Sequence, residues 1–320
     1  MIAKARLSAT VAMLLAVSCA SALAQSALAQ SPALTSVSVT CTATTDCASA
    51  FAAIEEGIFR RHGLDVSFVS IGLNSNIPGA LMSNSVQFGG TTLPVFMQAV
   101  DGGLDLVAVA GASVTAPETV IGTAVVARTG AKIAGAKELE GRKVGVPGIG
   151  AFLDVLFRQW LLQNGADPRK VTFVEVTFPT MTDVLKAGTV DAVVTGEPFM
   201  SRTLAAGAGF VVANFLRDIP ENEAIILYAS TRPWTDAHPD TTRAFRAAIV
   251  EGASFVRDNP ARARDHIAKY TKLPPEVVRS LVISRSSATL DKAQLDWWVE
   301  VMRRQDMLQT AIPTATLIAR

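Results

Sequence analysis

Residues 64–110 read LDVSFVSIGLNSNIPGALMSNSVQFGGTTLPVFMQAVDGGLDLVAVA, and this stretch decides the fold class. Leu64–Ser70 is a β-rich run, and Ile77–Met82 has the start of a helical pattern. Val86–Phe88 reads as a strand, Pro94–Val100 as a helix, and Leu106–Ala110 as a strand again. Strand and helix signals that alternate at this spacing predict an α/β protein. Its sheet is expected to be parallel, with right-handed crossovers.

The pattern continues in both directions. Upstream, Val37–Thr40 is a short strand, followed by a polar loop over Cys41–Asp46. A helix is expected over Ser49–His62, with Phe51, Ile54 and Ile58 on one face and Gly63 as its C-terminal cap. Downstream, Val120–Ala127 is a long β-branched run. Lys143–Val146 reads as a buried strand, and Phe152–Gln163 as an amphipathic helix ending at Asn164-Gly165. Val171–Val176, Asp191–Thr195 and Phe210–Phe215 are further strands, with a short helix over Thr180–Ala187 capped by Thr180. Ile225–Ala229 reads as a strand returning to the first sheet. The last third is helical, over Asp240–Asp258, from Pro260, over Pro275–Ile283 and over Asp291–Leu308. In the last of these Leu295, Trp298, Val299 and Met302 form the buried stripe, which makes the Trp297-Trp298 pair a packing feature.

The first thirty residues carry a different message. Lys4 and Arg6 precede an uncharged run, Leu7–Leu23, with an apolar centre over Val11–Val17. Small-residue sites follow at Ala22-Leu23-Ala24 and Ala27-Leu28-Ala29. This order is that of a secretory signal over residues 1–29, with the mature start near Gln25 or Gln30. The apolar centre falls short of the ~20 residues needed to span a bilayer. A lipidated Cys19 is the lesser alternative, because Ala16-Val17-Ser18 lacks the usual large aliphatic residue. An exported chain, in the periplasm, is expected. Removing the signal leaves 27 of the 29 basic residues against 28 acidic ones, a net charge of −1. With no basic block, nucleic acid is not an expected partner. The two cysteines outside the signal, Cys41 and Cys47, are expected to form a disulfide in that compartment. A metal site is the weaker alternative. His62, His238 and His266 all lie far from the cysteines in sequence, and no metal or cofactor is expected.

Three segments carry a family resemblance. Ala48–Val66, ASAFAAIEEGIFRRHGLDV, resembles the opening of the periplasmic substrate-binding proteins of nitrate/sulfonate/taurine-type ABC importers. Glu138–Pro147, ELEGRKVGVP, resembles their second-domain start. Leu185–Phe199, LKAGTVDAVVTGEPF, resembles their Leu-x-x-Gly-x-Val-Asp-Ala and Glu-Pro-Phe segment. The chain is similar also to binding proteins for thiamine-pyrimidine precursors. The resemblance implies a type II periplasmic binding protein-like fold with discontinuous domains joined by two crossing strands. One domain would combine residues 35–117 with 224–320, and the other would be 118–223, with the ligand cleft between them. It also implies hinge closure around a small solute and transient docking of a monomer on an inner-membrane permease.

Ligands of open α/β sheets sit beyond the carboxyl ends of strands, so the loops there supply the candidate site. They contain Thr44 and Asp46 between the cysteines, Asn74, Ser75 and Asn76 after the second strand, and Thr91 and Thr92 after the third. Ser113 is expected to follow the fourth strand. The other domain supplies Gly148, Gly150, Ala151, Phe178, Thr180 and Glu197. Gly148–Ala151 precede a helix, so their N–H groups could hold a carboxylate or sulfonate, or simply form a turn and cap. No third glycine follows in register, which makes a nucleotide loop a poor match. Phe178 and Phe199 could stack on a planar ligand or pack in the core. Glu197 either favours an amine or amidine on the ligand or fixes the hinge. No Arg or Lys falls in these loops, which points to a small organic solute, aromatic or mono-anionic, over a bare inorganic oxyanion.

Catalysis is not expected. The sequence has no Gly-x-Ser-x-Gly elbow, metal-binding histidine pair or His-assisted nucleophile, and nothing like the Cys-rich motif of the pyrimidine-forming enzyme of this fold. A periplasmic sensor that docks on a signalling receptor would use the same binding chemistry as an importer component, and both readings stay open at this level.

Overall fold

Residues 33–272 and 275–319 of a computed structural model are described, and they place ten strands in two five-stranded sheets. The expected signal over residues 1–29, with Cys19, lies outside the described residues. Of the unit Met1–Leu34 only Ala33 and Leu34 are described. All elements below belong to the unit Thr35–Arg320. The first sheet contains β1 (Thr35–Cys41), β2 (Leu64–Ser70), β3 (Phe88–Thr92), β4 (Leu106–Val114) and β10 (Ala224–Thr231) in the order β2-β1-β3-β10-β4. The second contains β5 (Thr123–Arg128), β6 (Lys143–Val146), β7 (Thr172–Glu175), β8 (Ala192–Gly196) and β9 (Gly209–Ala213) in the order β7-β6-β8-β5-β9.

β1 pairs parallel with β2 and β3, and β6 pairs parallel with β7 and β8. The all-parallel expectation fails at one inserted strand per sheet. β10 is antiparallel to β3 and β4, and β5 is antiparallel to β8 and β9. Each of these strands enters its sheet after the chain has crossed from the other one, so it arrives from the opposite end. The fold is thus α/β with two mixed sheets.

Helices cover the sheets and leave their central strands dry. All nine residues of β4 and all five of β3 are buried, so they read as continuous apolar or small runs. Phe245 of the Pro239–Asp258 helix stacks on Phe88 of β3 at 3.8 Å between ring centroids. The same helix packs on Ala48–Glu55 through Gly252, where a Cβ would run into the Ser49 carbonyl. Trp298 is fully buried, and its Nε1–H donates to the Ala224 carbonyl at 2.7 Å.

Some expected elements are redrawn. The helix expected over Ser49–His62 breaks into Ala48–Glu55 and Ile58–Arg61, because Gly57 takes φ +64° between them. The run Val120–Ala127 is not one strand. Pro117–Ile121 is a helical turn, held by Pro117 in its first turn and by the Ala116 N–H donating to Thr119 Oγ1. Thr180 does not cap Met181–Lys186, since its hydroxyl donates to the Thr177 carbonyl instead. β4 extends through Ser113, which therefore lies within the strand. The outer edge of β4 is covered by the C-terminal tail, where Val114 N–H donates to Arg285 O and Ser287 N–H to Ala112 O.

The two crossings are tied together by Thr115. Its N–H donates to the Glu223 carbonyl, its carbonyl accepts from Asn222 N–H, and its hydroxyl donates to Pro220 O at 2.6 Å and accepts from Glu223 N–H. Asn214 does the same at the second sheet, donating to Thr123 O at 2.9 Å. Glu223 is half-buried beside these bonds, and its Oε2 has no hydrogen-bond partner among the described residues. Burial first, and the nearby Asp291 carboxylate second, push its carboxyl from the usual 4.5 up to about 7. A raised carboxyl binds its proton more tightly in the folded state. Its contribution to stability is therefore fully present below the unfolded value and lost as pH rises through about 7. Glu223→Gln is expected to raise the melting temperature at pH 8 and leave it nearly unchanged at pH 5. Melting curves at the two pH values check this, and an equal effect at both would remove the titration argument.

Candidate ligand cleft

The carboxyl ends of the parallel strands in both sheets open on one cleft of about 790 Å3, its mouth included. From the first sheet come Thr42, Thr44, Thr45 and Asp46 after β1, Asn74 after β2, Thr92 at the end of β3, and Ile225 and Ile226 of β10. From the second come Pro147, Ala151, Phe152 and Leu153 after β6, Phe178 after β7, and Gly196 and Glu197 around the end of β8. The first crossing adds Glu118, Thr119, Gly122 and Thr123. The tail along β4 adds Val282 and Ser284.

The loop after β1 is pinned at both ends by the Cys41–Cys47 disulfide, with its Cα atoms 6.5 Å apart. Within it, Thr44 Oγ1 donates to Asp46 Oδ2 at 3.0 Å, and Thr45 Oγ1 pairs with Ser284 Oγ at 2.8 Å. A stapled loop loses less freedom when a ligand orders it. No group of His, Cys, Asp and Glu able to hold a metal ion occurs among the described residues. Asn74 is buried and organises the next two strand ends. Its Oδ1 accepts from Thr92 N–H at 3.0 Å, Thr91 Oγ1 at 3.0 Å and Thr92 Oγ1 at 3.2 Å.

Of the residues expected at the site, Thr44, Asp46, Asn74, Thr92, Ala151, Phe178 and Glu197 line the cleft. Ser75, Asn76, Thr91, Ser113, Gly148, Gly150 and Thr180 do not. Ser75 donates to Glu175 Oε1 at 3.0 Å, Asn76 is exposed, and Thr91 is fully buried behind Asn74. Ser113 is fully buried in β4, and Thr180 is exposed on its own turn. Glu197 also holds the start of the next helix, accepting from Ser201 Oγ at 2.7 Å and Ser201 N–H at 3.3 Å. Phe178 stacks on Phe199 at 5.3 Å, and Phe199 itself is buried in the core.

The free N–H groups expected at Gly148–Ala151 are largely taken by the protein. Ile149 N–H donates to Glu175 Oε1 at 2.9 Å, Gly150 N–H to Asp154 Oδ2 at 2.8 Å, and Ala151 N–H to the Gly148 carbonyl. Asp154 is fully buried. Burial pushes its carboxyl above the usual range, while Arg158 at 2.8 Å opposes that shift. Gly150, at φ +73°, instead abuts Gln98, whose Nε2–H donates to its carbonyl at 2.7 Å. This turn is a seam between the halves built on the two sheets.

Sequence reasoning missed Glu118–Thr123 and Val282–Ser284. The first was hidden by reading Val120–Ala127 as one strand, although Pro117 before an acid is a helix-start signal. The second had no local signal, because only the path of the tail along β4 brings it to the cleft.

A model of the NMT1-like family matches residues 30–271. The chain belongs to the NMT1-like family. Among curated relatives, the nitrate import ATP-binding protein NrtC of Synechocystis is 25% identical over 259 residues, which cover 73% of this chain and 36% of that one. The nitrate/nitrite binding protein NrtA of Synechococcus elongatus is 29% identical over 131 residues, covering 39% of this chain and 29% of that one. The chain thus spans about a third of the length of the curated relatives it matches. Among solved structures, the alkanesulfonate-binding protein SsuA from Xanthomonas axonopodis pv. citri, bound to MOPS, superposes with a TM-score of 0.77 at 16% identity. That match covers 90% of this chain and 99% of that one. The periplasmic nitrate-binding protein NrtA from Synechocystis gives 0.73 at 16% identity, covering 88% and 84%. These likenesses establish that this NMT1-like protein has the periplasmic binding protein fold.

Asn74→Ala strands the donors of Thr91 and Thr92 in a buried site and is expected to cost about 1–3 kcal/mol of stability. Asn76→Ala, on the exposed neighbour, is expected to change stability by less than about 0.5 kcal/mol. Denaturant unfolding of the two variants checks the contrast.

Proposed function

We propose that this protein is the solute-binding component of an ABC importer. It captures a small organic solute in the cleft between two lobes and delivers it to a membrane permease. The lobes are residues 35–117 with 224–320, and residues 118–223, and the protein works as a monomer in the periplasm. The observation that carries this reading is the convergence of strand-end loops from both sheets on one cleft, with two crossings that can act as a hinge. Membership of the NMT1-like family and the binding-protein fold of its structural neighbours support it. The carboxylates of the cleft are held in place by the protein, Asp46 by the Thr44 hydroxyl and Glu197 by the Ser201 hydroxyl and N–H, and no histidine, cysteine or lysine lines the cleft among the described residues. Gln98 to Gly150, Ser75 to Glu175 and Gln305 to the Val155 carbonyl at 3.2 Å are among the contacts that closure of the lobes would make and opening would break.

A thermal-shift screen of the mature protein against organic acids, sulfonates, amino acids, amines, pyrimidines and nitrate tests the reading. One chemical class at about 100 times its Kd is expected to add about 2.7 kcal/mol, a rise of about 5 °C or more. Affinity is expected in the micromolar range or tighter, about −8 kcal/mol. A flat screen, with no retained solute in native mass spectrometry, would overturn the proposal. Gly150→Ala, which forces a methyl against the Gln98 amide, is expected to weaken binding at least about tenfold, about 1.4 kcal/mol, because it opposes closure. Calorimetric titration with the solute that emerges from the screen reads that change.

A further inference from the structure

We propose that the solute taken by this cleft is an organic cation, a protonated amine or amidine on a flat apolar body. The inference rests on the solute-binding reading above. Among the described residues, the side chains lining the cleft include three carboxylates and no lysine, arginine or histidine. The carboxylates come from three separate parts of the fold: Asp46 from the stapled loop, Glu118 from the first crossing, and Glu197 from the end of β8. Among the described residues, only Glu118 of the three has an ion-pair partner. Arg285 lies 3.6 Å from it, outside the cleft lining, and is shared with Glu221 at 3.3 Å. Asp46 and Glu197 are held by hydroxyl and amide donors, which fix their positions without cancelling their charge. A carboxylate facing a partly desolvated space disfavours an anion there, and a bound cation offsets its charge.

A second feature points to a ligand independently of the charges. Thr42 lines the cleft at 8% exposure, and its Oγ1 has no partner among the described residues. Buried hydroxyls rarely go unpaired, and a polar group on the solute would complete this one. Phe178, backed by Phe199, offers a ring for a flat cation to lie against. Phe152, Leu153, Ile225 and Ile226 give the apolar wall that an organic body needs. The turn that could have gripped an anion already commits the N–H groups of Ile149 and Gly150 to Glu175 and Asp154.

The test is a near-isosteric series of different charge: benzamidine, benzamide and benzoate, with benzenesulfonate and nitrate added, titrated calorimetrically into the full mature chain. Benzamidine is expected to bind at least about tenfold tighter than any of the anions, with affinity falling as salt rises. Asp46→Asn and Glu197→Gln are each expected to weaken benzamidine binding about fivefold or more, and by a larger factor than they change benzamide binding. Tighter binding of benzoate, benzenesulfonate or nitrate overturns the charge assignment and leaves the importer reading standing. Absence of benzamidine binding at millimolar concentration likewise overturns it. The importer reading fails separately, only if the wider screen and native mass spectrometry find no solute at all.

Discussion

The insertion of β10 between β3 and β4, and of β5 between β8 and β9, commits the chain to crossing between the sheets twice. Much of the rest of the architecture follows. Each inserted strand must run antiparallel to its neighbours because it enters from the far end, while the remaining pairs around β1 and β6 stay parallel. The carboxyl ends of those parallel strands open on the cleft beside the crossings, where ligands of such sheets bind. The Thr115 bonds to Pro220, Asn222 and Glu223, and the Asn214 bond to Thr123, hold the two connections side by side. A pair of short tethers of this kind permits rotation about itself and resists separation, which suits a hinge.

Inside that frame the polar groups divide into those committed to the protein's own backbone and those that face the cleft. Asn74 directs its carbonyl oxygen to β3, and Asp154 and Glu175 occupy the turn before the Phe152–Gln163 helix. Facing the cleft are three carboxylates, the Thr42 hydroxyl, which has no partner among the described residues, and apolar walls. Two structural neighbours are named for nitrate and alkanesulfonates, yet they share only 16% identity with this chain. A shared fold sets where the solute sits, and the lining side chains set its charge.

Local patterns wrote much of the fold into the sequence. The alternation over residues 64–110, the Phe152–Gln163 helix and the existence of a strand at Ile225–Ala229 all depend on neighbours a few residues apart, where period and propensity operate. The Cys41–Cys47 bridge was legible for a different reason, as the two cysteines outside the signal of a chain read as exported. Errors arose where a local preference was outvoted. Val120 and Ile121 favour strand, yet Pro117 and the Thr119 hydroxyl hold them in a helical turn. Gly57 cut a helix that its flanking pattern would have continued.

The candidate site was legible only in outline. Its loops could be named because a loop after a strand is a property of local sequence. Which side chain on each loop turns inward is settled by partners far away in the chain. Asn74 lines the cleft while Asn76, two residues on, does not, because β3 lies against one and solvent against the other. Glu118, Val282 and Ser284 reach the cleft only through the crossing and the tail that covers β4. The sequence by itself thus determined the α/β class, the family and the strand-end loops. Tertiary structure alone decided the antiparallel insertions and brought Glu118 to the cleft beside Asp46 and Glu197, because both depend on contacts between residues tens to hundreds of positions apart.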